Sequence, residues 1–268
     1  MALQSPTVTV MIATARKAGR ALVRDFGEVE NLQVSRKGPA DFVSQADLKA
    51  ERIIREELSR ARPGFGLLLE ESGEVPGDEA QRFIVDPLDG TTNFLHGIPH
   101  FAVSIALAKG NQLTAGVVYN PISDELYWAE RGKGAYLNDR RLRASARTRM
   151  GDAIFATGIP FRGRPGHAVF KAELDALMDE VAGIRRFGAA SLDLAYVAAG
   201  RFDGFWERGL APWDIAAGAV LVREARGVVT DAIGGGVILD RGDIVAANEA
   251  LHRPLLDVVK RTAAAVAS

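Results

Sequence analysis

Two aspartates, Asp86 and Asp89, stand three residues apart immediately after the apolar run Phe83–Val85. A short apolar run bounded by turn residues predicts a buried strand, which would carry both carboxylates at its end. The segment Gly90–Thr92 follows at once, where we expect a helix to begin, and the free N–H groups at a helix start bind anions. Carboxylate oxygens are the ligands that magnesium prefers. The spacing therefore predicts chemistry in which divalent metal ions act on a phosphate group.

Two further acids occupy comparable positions. Glu70 follows the apolar run Leu67–Leu69, and Asp214 follows a proline and a tryptophan. A carboxylate at the end of an apolar strand is poorly hydrated, which is unfavourable unless a cation or hydrogen-bond donors compensate. Each acid also has an ordinary structural interpretation: Glu70 as the start of a solvated loop, Asp89 as a turn residue and Asp214 as a helix N-cap. Taken together with the glycine–threonine turn, the four acids favour a metal site.

The elements that must position these acids begin with two helices. Apolar residues recur at helical spacing over residues 6–26, and Ser44 with Asp47 forms a capping-box-like start to a second helix. From residue 66 to residue 136, short apolar runs alternate with turns, which predicts strands. The runs predicted as strands are Leu67–Leu69, Phe83–Val85, Phe101–Ala108, Thr114–Tyr119 and Glu125–Ala129. The first half of the chain is therefore expected to be α+β.

A basic, polar stretch, Asn138–Arg149, contains seven strand-poor positions and shows no apolar period, so we place a domain boundary in it between residues 1–145 and 146–268. Strands and helices alternate after it, which is typical of an α/β half. The strands predicted there are Ala153–Thr157, Gly183–Phe187, Phe202–Trp206, Gly227–Asp231 and Ile244–Ala247. The predicted helices are Ala168–Val181, Ser191–Ala199, Trp213–Ala225 and a closing helix from Glu249. The run Gly234–Gly236 is predicted to be a turn.

Composition narrows the class of protein. The chain has 268 residues, 47% apolar and 25% charged, which is ordinary for a globular protein. A net charge of −1 argues against binding a polyanion by bulk electrostatics. The absence of cysteine excludes disulfides and thiolate metal sites. We find neither a membrane-spanning run nor a signal-peptide pattern, so a soluble cytoplasmic protein is expected.

Three segments resemble the signatures of the inositol monophosphatase family, in the family's order: Glu70–Ser72, Asp86–Phe94 and Trp213–Gly218. The central segment is the most specific, and Glu224–Val228 is similar to the family's continuation of the third. The resemblance covers nearly the whole chain. It implies a layered αβαβα sandwich of the sugar-phosphatase type, usually a homodimer, with magnesium-dependent activity that lithium blocks.

The resemblance also implies a ligand set for two to three Mg²⁺ ions. Glu70, Asp86 and the backbone carbonyl of Leu88 would hold the first ion. Asp86, Asp89 and Asp214 would hold the second, so Asp86 would bridge the two. Glu70 would reach a third, weaker site through water. In such a two-metal hydrolase, one ion generates hydroxide near neutral pH and the other stabilises the leaving alkoxide.

Activation of the water is assigned by resemblance to Asp47 and Thr91, together with Glu70. Asp47 would accept a hydrogen bond from Thr91 Oγ, which would orient the water and help to deprotonate it. From spacing alone, Asp47 is as consistent with a capping-box acid as with a catalytic one. The backbone amides of Gly90 and Thr91 would hold the phosphate oxygens.

Recognition of the substrate alcohol is assigned by resemblance to the second half of the chain. Backbone groups of Gly188 and Ala190, in the stretch Gly188–Ser191, match positions that contact sugar or inositol hydroxyls. Glu207 matches an acid that accepts hydrogen bonds from ring hydroxyls, and Asp89 would share that work. The expected substrate is a small phosphate monoester.

Other positions near these motifs are assigned less specific roles. Lys37 matches a mobile family loop, although a solvated loop lysine explains it as well. Arg185 and Arg186 resemble a surface or subunit-contact patch more than phosphate ligands. The segment Thr157–Phe161 resembles the bacterial branch of the family, so the inositol contacts of that loop are left open.

Three functional hypotheses follow from the resemblance. The leading one is a Mg²⁺-dependent phosphomonoesterase that releases inositol and phosphate from myo-inositol monophosphates. The second is a phosphatase for another polyol phosphate, such as histidinol phosphate or fructose 1,6-bisphosphate, which enzymes of the same fold hydrolyse. The third is a binding protein for transcription antitermination by RNA polymerase, as some bacterial members are. The basic run Arg140–Arg149 would serve such contacts, but a solvated linker is the favoured interpretation.

Overall fold

The structure is a computed structural model that describes residues 4–28, 34–38, 41–77, 80–161 and 163–267. Its helices are α1 Pro6–Phe26, α2 Gln45–Ala61, α3 Thr91–Leu95, α4 His167–Met178, α5 Ala190–Ala198, α6 Pro212–Glu224, α7 Ile238–Arg241 and α8 Glu249–Ala267. Its strands in the first half are β1 Val34–Gly38, β2 Asp41–Ser44, β3 Gly66–Leu69, β4 Gly73–Val75, β5 Gln81–Asp89, β6 Ala102–Lys109, β7 Gln112–Asn120, β8 Glu125–Glu130, β9 Gly134–Leu137 and β10 Arg140–Arg141. Those in the second half are β11 Ile154–Thr157, β12 Gly183–Arg185, β13 Gly204–Glu207, β14 Gly227–Thr230 and β15 Ile244–Asn248.

The larger sheet has eight strands in the order β10-β9-β8-β7-β6-β5-β3-β4. Its neighbouring strands are antiparallel except β3 and β5, which run parallel. Because these two strands are parallel neighbours, the residues that follow them meet at one edge of the sheet. Glu70 and the Asp86–Asp89 segment therefore come together there.

The smaller sheet has five strands in the order β12-β11-β13-β15-β14. Strands β12, β11 and β13 are parallel, whereas β15 runs antiparallel to both β13 and β14. The second half is therefore a mixed sheet. Glu207 lies at the end of β13, an interior strand with β11 on one side and β15 on the other.

Three helix layers separate and cover the two sheets. Helices α1 and α2 cover one face of the larger sheet with apolar residues at helical spacing, such as Met11 and Leu22 of α1 and Ile54 and Leu58 of α2. Helices α5 and α6 lie between the sheets, and α4 and α8 cover the outer face of the smaller sheet. The layered αβαβα sandwich is confirmed.

One hydrophobic core joins the two predicted halves. The cluster around α5 and α6 includes Ile84 and Val118 from the larger sheet and Phe205 and Ala246 from the smaller one. The larger sheet ends at Arg141, close to the predicted boundary. A common core therefore spans that boundary. The division into domains 1–145 and 146–268 stays a prediction.

Most predicted elements are present within a few residues of their predicted bounds, with some differences. The stretch Asn138–Arg149 contains a short strand that was not predicted, because β10 pairs with β9 through Arg140 and Arg141 alone. Helix α7 follows the predicted turn at Gly234–Gly236 and was not predicted, since its four residues give no helical period. Lys37 lies in β1, and its side chain is outside the described part of the structure. Within the described residues, no helix combines the length and the apolar content that a bilayer span requires.

Candidate active site

A β-bulge brings both motif aspartates to the same region. In a regular strand, residues three apart point to opposite faces of the sheet. Here Asp86 pairs with Ser104 and Asp89 pairs with Ala102, so three steps along β5 match two along β6. Pro87 lies within this irregularity, where a missing N–H is tolerated. The bulge therefore re-aims the second carboxylate, which the spacing alone did not predict.

Gly90 closes the turn that follows. Its φ of 95° lies in the left-handed region, and a Cβ there would approach the carbonyl oxygen of His100 to 3.0 Å. Only glycine adopts this conformation without strain. The turn leads directly into α3, so Thr91 is placed beside the carboxylates of β5.

Asp47 makes both of the interactions predicted for it: it caps α2 and it accepts a hydrogen bond from Thr91. Its Oδ2 accepts hydrogen bonds from the backbone N–H of Ser44 at 2.9 Å and from Ser44 Oγ at 2.5 Å, which caps α2. Thr91 Oγ1 lies 3.1 Å from Asp47 Oδ1 and 3.0 Å from the carbonyl oxygen of Leu88. Burial raises the pKa of Asp47, whose side chain is 0% exposed, although the bonds from Ser44 and Thr91 lower it in part. The structural and the catalytic interpretations are therefore compatible.

The acids of the first half form one electrostatic cluster with Asp214. Burial raises the pKa of Asp86 well above its ordinary value. The charges of Glu70, Asp89 and Asp214 raise it further. Burial likewise raises the pKa of Asp89 to about 6 and that of Asp214 well above its ordinary value. Carboxyl groups that raise one another's pKa are close together and are stabilised when a cation joins them.

Each of these aspartates is oriented by a protein donor. The backbone N–H of Leu88 donates to Asp86 Oδ1 at 2.9 Å. The backbone N–H of Ala211 donates to Asp214 Oδ2 at 2.7 Å, which places Asp214 at the third position of α6 and not at its N-cap. Asp89 is tied to the second half of the chain. Its Oδ2 accepts from the N–H and the Oγ of Ser191, at 2.7 and 2.5 Å.

The other end of the site is built around Glu207. Its carboxylate lies against Gly158, where an added Cβ would be only 1.8 Å from Glu207 Oε1. Burial raises the pKa of Glu207 to about 8, while the nearby charges of Arg186 and Arg164 lower it. The charge of Asp89 raises it further, so the two ends of the site interact electrostatically.

A single cavity of about 190 Å³ connects the two ends. Eight of the predicted site residues line it: Glu70, Asp89, Gly90, Thr91, Gly188, Ala190, Glu207 and Asp214. Asp47, Asp86 and Leu88 do not line it, but they contact or electrostatically affect residues that do. The structure thus brings the predicted metal, water and alcohol positions into one cleft between the two sheets.

Comparison with known proteins shows which family has this combination of motifs and fold. The model of the inositol monophosphatase family matches residues 3–263. The chain belongs to the inositol monophosphatase family. The resemblance carried by the three motifs is therefore confirmed over nearly the whole length of the protein.

Relatives within the inositol monophosphatase family carry two kinds of name. The chain is 62% identical over 259 residues to inositol-1-monophosphatase of Rhizobium meliloti, covering 96% of this chain and 97% of that protein. It is 44% identical over 252 residues to Nus factor SuhB of Salmonella typhimurium, covering 94% of each. The crystal structure of extragenic suppressor protein suhB from Bartonella henselae matches with a TM-score of 0.93 and 61% identity, covering 96% of this chain and 99% of that one.

Sequence reasoning missed several residues of this inositol monophosphatase cleft. Arg186, for which a surface or subunit-contact patch was the favoured interpretation, is exposed but also lines the cavity and acts electrostatically on Glu207. Gly158 belongs to the segment Thr157–Phe161, but its contact with Glu207, 49 positions further along the chain, was not predicted. Asp193 also lines the cavity. A helical spacing of three from Ala190 would have placed it on the same face of α5.

The acid cluster fits divalent cations in its donor chemistry. Hard cations take carboxylate and carbonyl oxygens, and the described residues form no salt bridge to Asp86, Asp89 or Asp214. Among the described residues, no group of three or more His, Asp or Glu side chains is arranged so that it could already hold a metal ion. Burial, the charges of Glu70, Asp89 and Asp214 and a hydrogen bond with Glu70 all raise the pKa of Asp86. Because metal ligands must be deprotonated, metal binding at these acids is expected to release protons.

Proposed function

We propose that this protein is a Mg²⁺-dependent phosphomonoesterase that hydrolyses myo-inositol monophosphate to inositol and phosphate. The observation that carries the proposal is one cavity lined by Glu70, Asp89 and Asp214 at one end and by Glu207 at the other. A phosphate would bind at the acid end once metal ions are held there, and a polyol fits the end with hydrogen-bond acceptors. The name of the Rhizobium meliloti relative supports the same substrate.

The predicted ligand set is retained in the proposal. Glu70, Asp86 and the carbonyl of Leu88 would hold one Mg²⁺, and Asp86, Asp89 and Asp214 a second, with a third weaker ion near Glu70. When bound, the ions supply a hydroxide near neutral pH and charge stabilisation for the leaving oxygen. The backbone donors at Asp86 and Asp214 keep the carboxylates in a fixed orientation for this purpose.

Thr91 and Asp47 provide the path for the proton of the attacking water. The Thr91 hydroxyl has one proton, and donating it to Asp47 Oδ1 leaves a lone pair that accepts from the water. As the water loses its proton to Thr91 Oγ1, the hydroxyl proton passes to Asp47. The raised pKa of the buried Asp47 makes it a stronger base than an exposed aspartate.

The leaving alcohol is held at the opposite end. Glu207 accepts hydrogen bonds from hydroxyl groups, and the backbone near Gly188 and Ala190 contributes further polar contacts in the cavity wall. Ser191 fixes Asp89 from the second half of the chain, so the metal end and the alcohol end are held in one geometry. Such fixed positioning lowers the entropic barrier to reaction.

The experiment that tests the proposal combines a metal titration with a substrate panel. Phosphate release is measured against Mg²⁺ concentration with and without a chelator, using myo-inositol 1-phosphate, histidinol phosphate and fructose 1,6-bisphosphate. We expect activity to require Mg²⁺ and kcat/KM to be highest for the inositol ester. Activity indifferent to chelation would refute the metal mechanism, and a much higher kcat/KM for histidinol phosphate would refute the substrate.

We place a transcription role second, although Nus factor relatives exist. Two arginines of the basic run already form ion pairs within the protein. Arg147 pairs with the buried Asp203 at 3.1 Å, and Arg149 pairs with Asp152 at 2.6 Å. These pairs reduce the charge available to a partner. The D86N variant separates the roles. If it loses phosphatase activity yet complements every cellular phenotype of a deletion, the binding role is primary.

Homodimer formation, lithium inhibition and a cytoplasmic location belong to the same proposal. The edge strand β12 and the nearby Ile159 and Met178, which are 46% and 56% exposed, support pairing with a second copy. Light scattering measures the first property. Inhibition by lithium at fixed Mg²⁺ measures the second.

A further inference from the structure

Asp193 is a buried acid in the cleft to which neither the motifs nor the family resemblance assigns a role. It lies in the first turn of α5 and is 1% exposed. Ala189, Ala190 and Asp193 all line the cavity, because positions three and four apart share one face of a helix. The same wall contains Glu207 and Arg186. Asp193 is therefore placed at the alcohol end of the site.

One oxygen of this carboxylate has no hydrogen-bond partner among the described residues. Within the described part of the chain, no donor forms a hydrogen bond to Asp193 Oδ1, which is fully buried. Arg186 is close enough to lower the pKa of Asp193, but no described salt bridge joins them. Burial and the charges of Glu207 and Asp89 raise that pKa well above its ordinary value.

A structural role does not account for the residue. An acid in the first turn of a helix is stabilised by the helix dipole when it is exposed to solvent. Asp193 is instead buried, and buried polar groups in native proteins are nearly always hydrogen-bonded. Other buried aspartates of this chain follow that rule. Asp203 accepts from Ser145 and from the backbone of Ile154, and Asp231 accepts from the backbone of Ile233 and Gly235.

We propose that Asp193 is a specificity-determining residue whose carboxylate accepts a hydrogen bond from a donor group on the alcohol portion of the substrate. This inference rests on the proposed phosphomonoesterase function. With Glu207, it makes the alcohol end a two-carboxylate site that selects phosphate esters whose alcohol carries further hydroxyl or ammonium groups. Esters of an alcohol without such donors leave Asp193 unpaired and gain nothing from it.

The test compares esters that differ in donor groups. In D193L, which removes the acceptor oxygens but keeps the number and branching of the side-chain heavy atoms, we expect kcat/KM for myo-inositol 1-phosphate to fall at least tenfold, mainly through KM. Phenyl phosphate, whose alcohol has no further donor, should change less than twofold. D193N keeps an acceptor oxygen and should restore part of the lost activity. Histidinol phosphate distinguishes an ammonium donor from a hydroxyl donor.

A matched control is available at a buried aspartate remote from the cleft. D231N should leave the ratio of the two kcat/KM values unchanged, even where it lowers the melting temperature. Equal losses for inositol phosphate and phenyl phosphate in D193L, or no loss for either, would overturn the proposal. If D193L does not fold, the same ratio is measured in D193N, and an unchanged ratio there would overturn it too.

Failure of the proposed function is recognised separately, in the wild-type protein. If the wild type prefers histidinol phosphate, the proposed substrate is wrong. The effect of the Asp193 variants is then read from the ratio of histidinol phosphate to phenyl phosphate, which tests the same hydrogen bond.

Discussion

The two ends of the cleft are built in different ways. At the proposed metal end, three acids are oriented by a donor within three residues along the chain: Leu88 for Asp86, Ser44 for Asp47 and Ala211 for Asp214. Asp89 is the exception, because Ser191 holds it from the second half of the chain. At the alcohol end, Glu207 rests against Gly158, and Asp193 and Arg186 come from separate segments. Because these hydrogen bonds join residues that are close in sequence, the proposed metal end can be recognised from sequence motifs. The alcohol end depends on how distant segments pack, so small changes there are expected to alter substrate choice before they alter the chemistry.

The largest expected effect is at the metal end, in D86N. Removing this charge at the centre of the acid cluster should lower kcat by about 10³-fold or more, because the proposed mechanism needs Asp86 both for metal binding and for leaving-group stabilisation. Steady-state kinetics with saturating Mg²⁺ measure the effect. D152N changes an exposed aspartate and serves as control. A loss below tenfold would contradict the central role of Asp86.

The next largest effect is expected from T91V, which removes the hydroxyl shared by Asp47 and Leu88 at nearly constant volume. Loss of the proton path should lower kcat by about 10²-fold for every ester, whatever its alcohol. The Mg²⁺ concentration for half-maximal activity should change little. A selective loss for inositol phosphate alone would place Thr91 in alcohol recognition and would weaken the contrast between the two ends.

A smaller and selective effect is expected at the alcohol end, in G158A. The added methyl group would be 1.8 Å from Glu207 Oε1, so the glutamate must move. We expect kcat/KM for inositol phosphate to fall by about tenfold, while phenyl phosphate changes less than twofold. G151A is the control, because no atom lies within 4 Å of a Cβ there. Equal losses for both esters would mean that Gly158 supports the whole cleft.

The smallest effect concerns stability and pH. The folded-state pKa of Glu207 is about 8, above its ordinary value of 4.5, so the folded protein binds the proton more tightly than the unfolded chain. Its contribution to the free energy of unfolding is therefore present below pH 4.5 and is lost as the pH rises through about 8. In metal-free protein, E207Q should reduce this loss between pH 5 and pH 9 by about 1 kcal/mol, allowing for screening by water and arginine. Urea unfolding with chelator measures it, and an identical pH slope in both proteins would contradict the buried-acid description.

Much of the metal end was predictable from the sequence. The apolar run before Asp86, the glycine of the turn and the capping-box spacing of Ser44 and Asp47 are local signals, and the structure contains the strand, turn and helix that they predict. The layered fold followed from the resemblance of the motifs and is confirmed by the structure. Local signals of this kind depend on backbone conformation and hydrogen bonds over a few residues, which one segment specifies by itself.

Only the tertiary structure decided the rest. The bulge that re-aims Asp89 requires β6 as a partner, because pairing across two strands sets the register. The contact of Glu207 with Gly158, the position of Arg186 in the cavity and the burial of Asp193 depend on how β11, β13 and α5 pack together. The sequence by itself determined which groups are present for metal-assisted phosphate chemistry. Packing between distant segments decided which of them line the proposed alcohol end of the cleft, since burial and proximity are properties of the assembled fold.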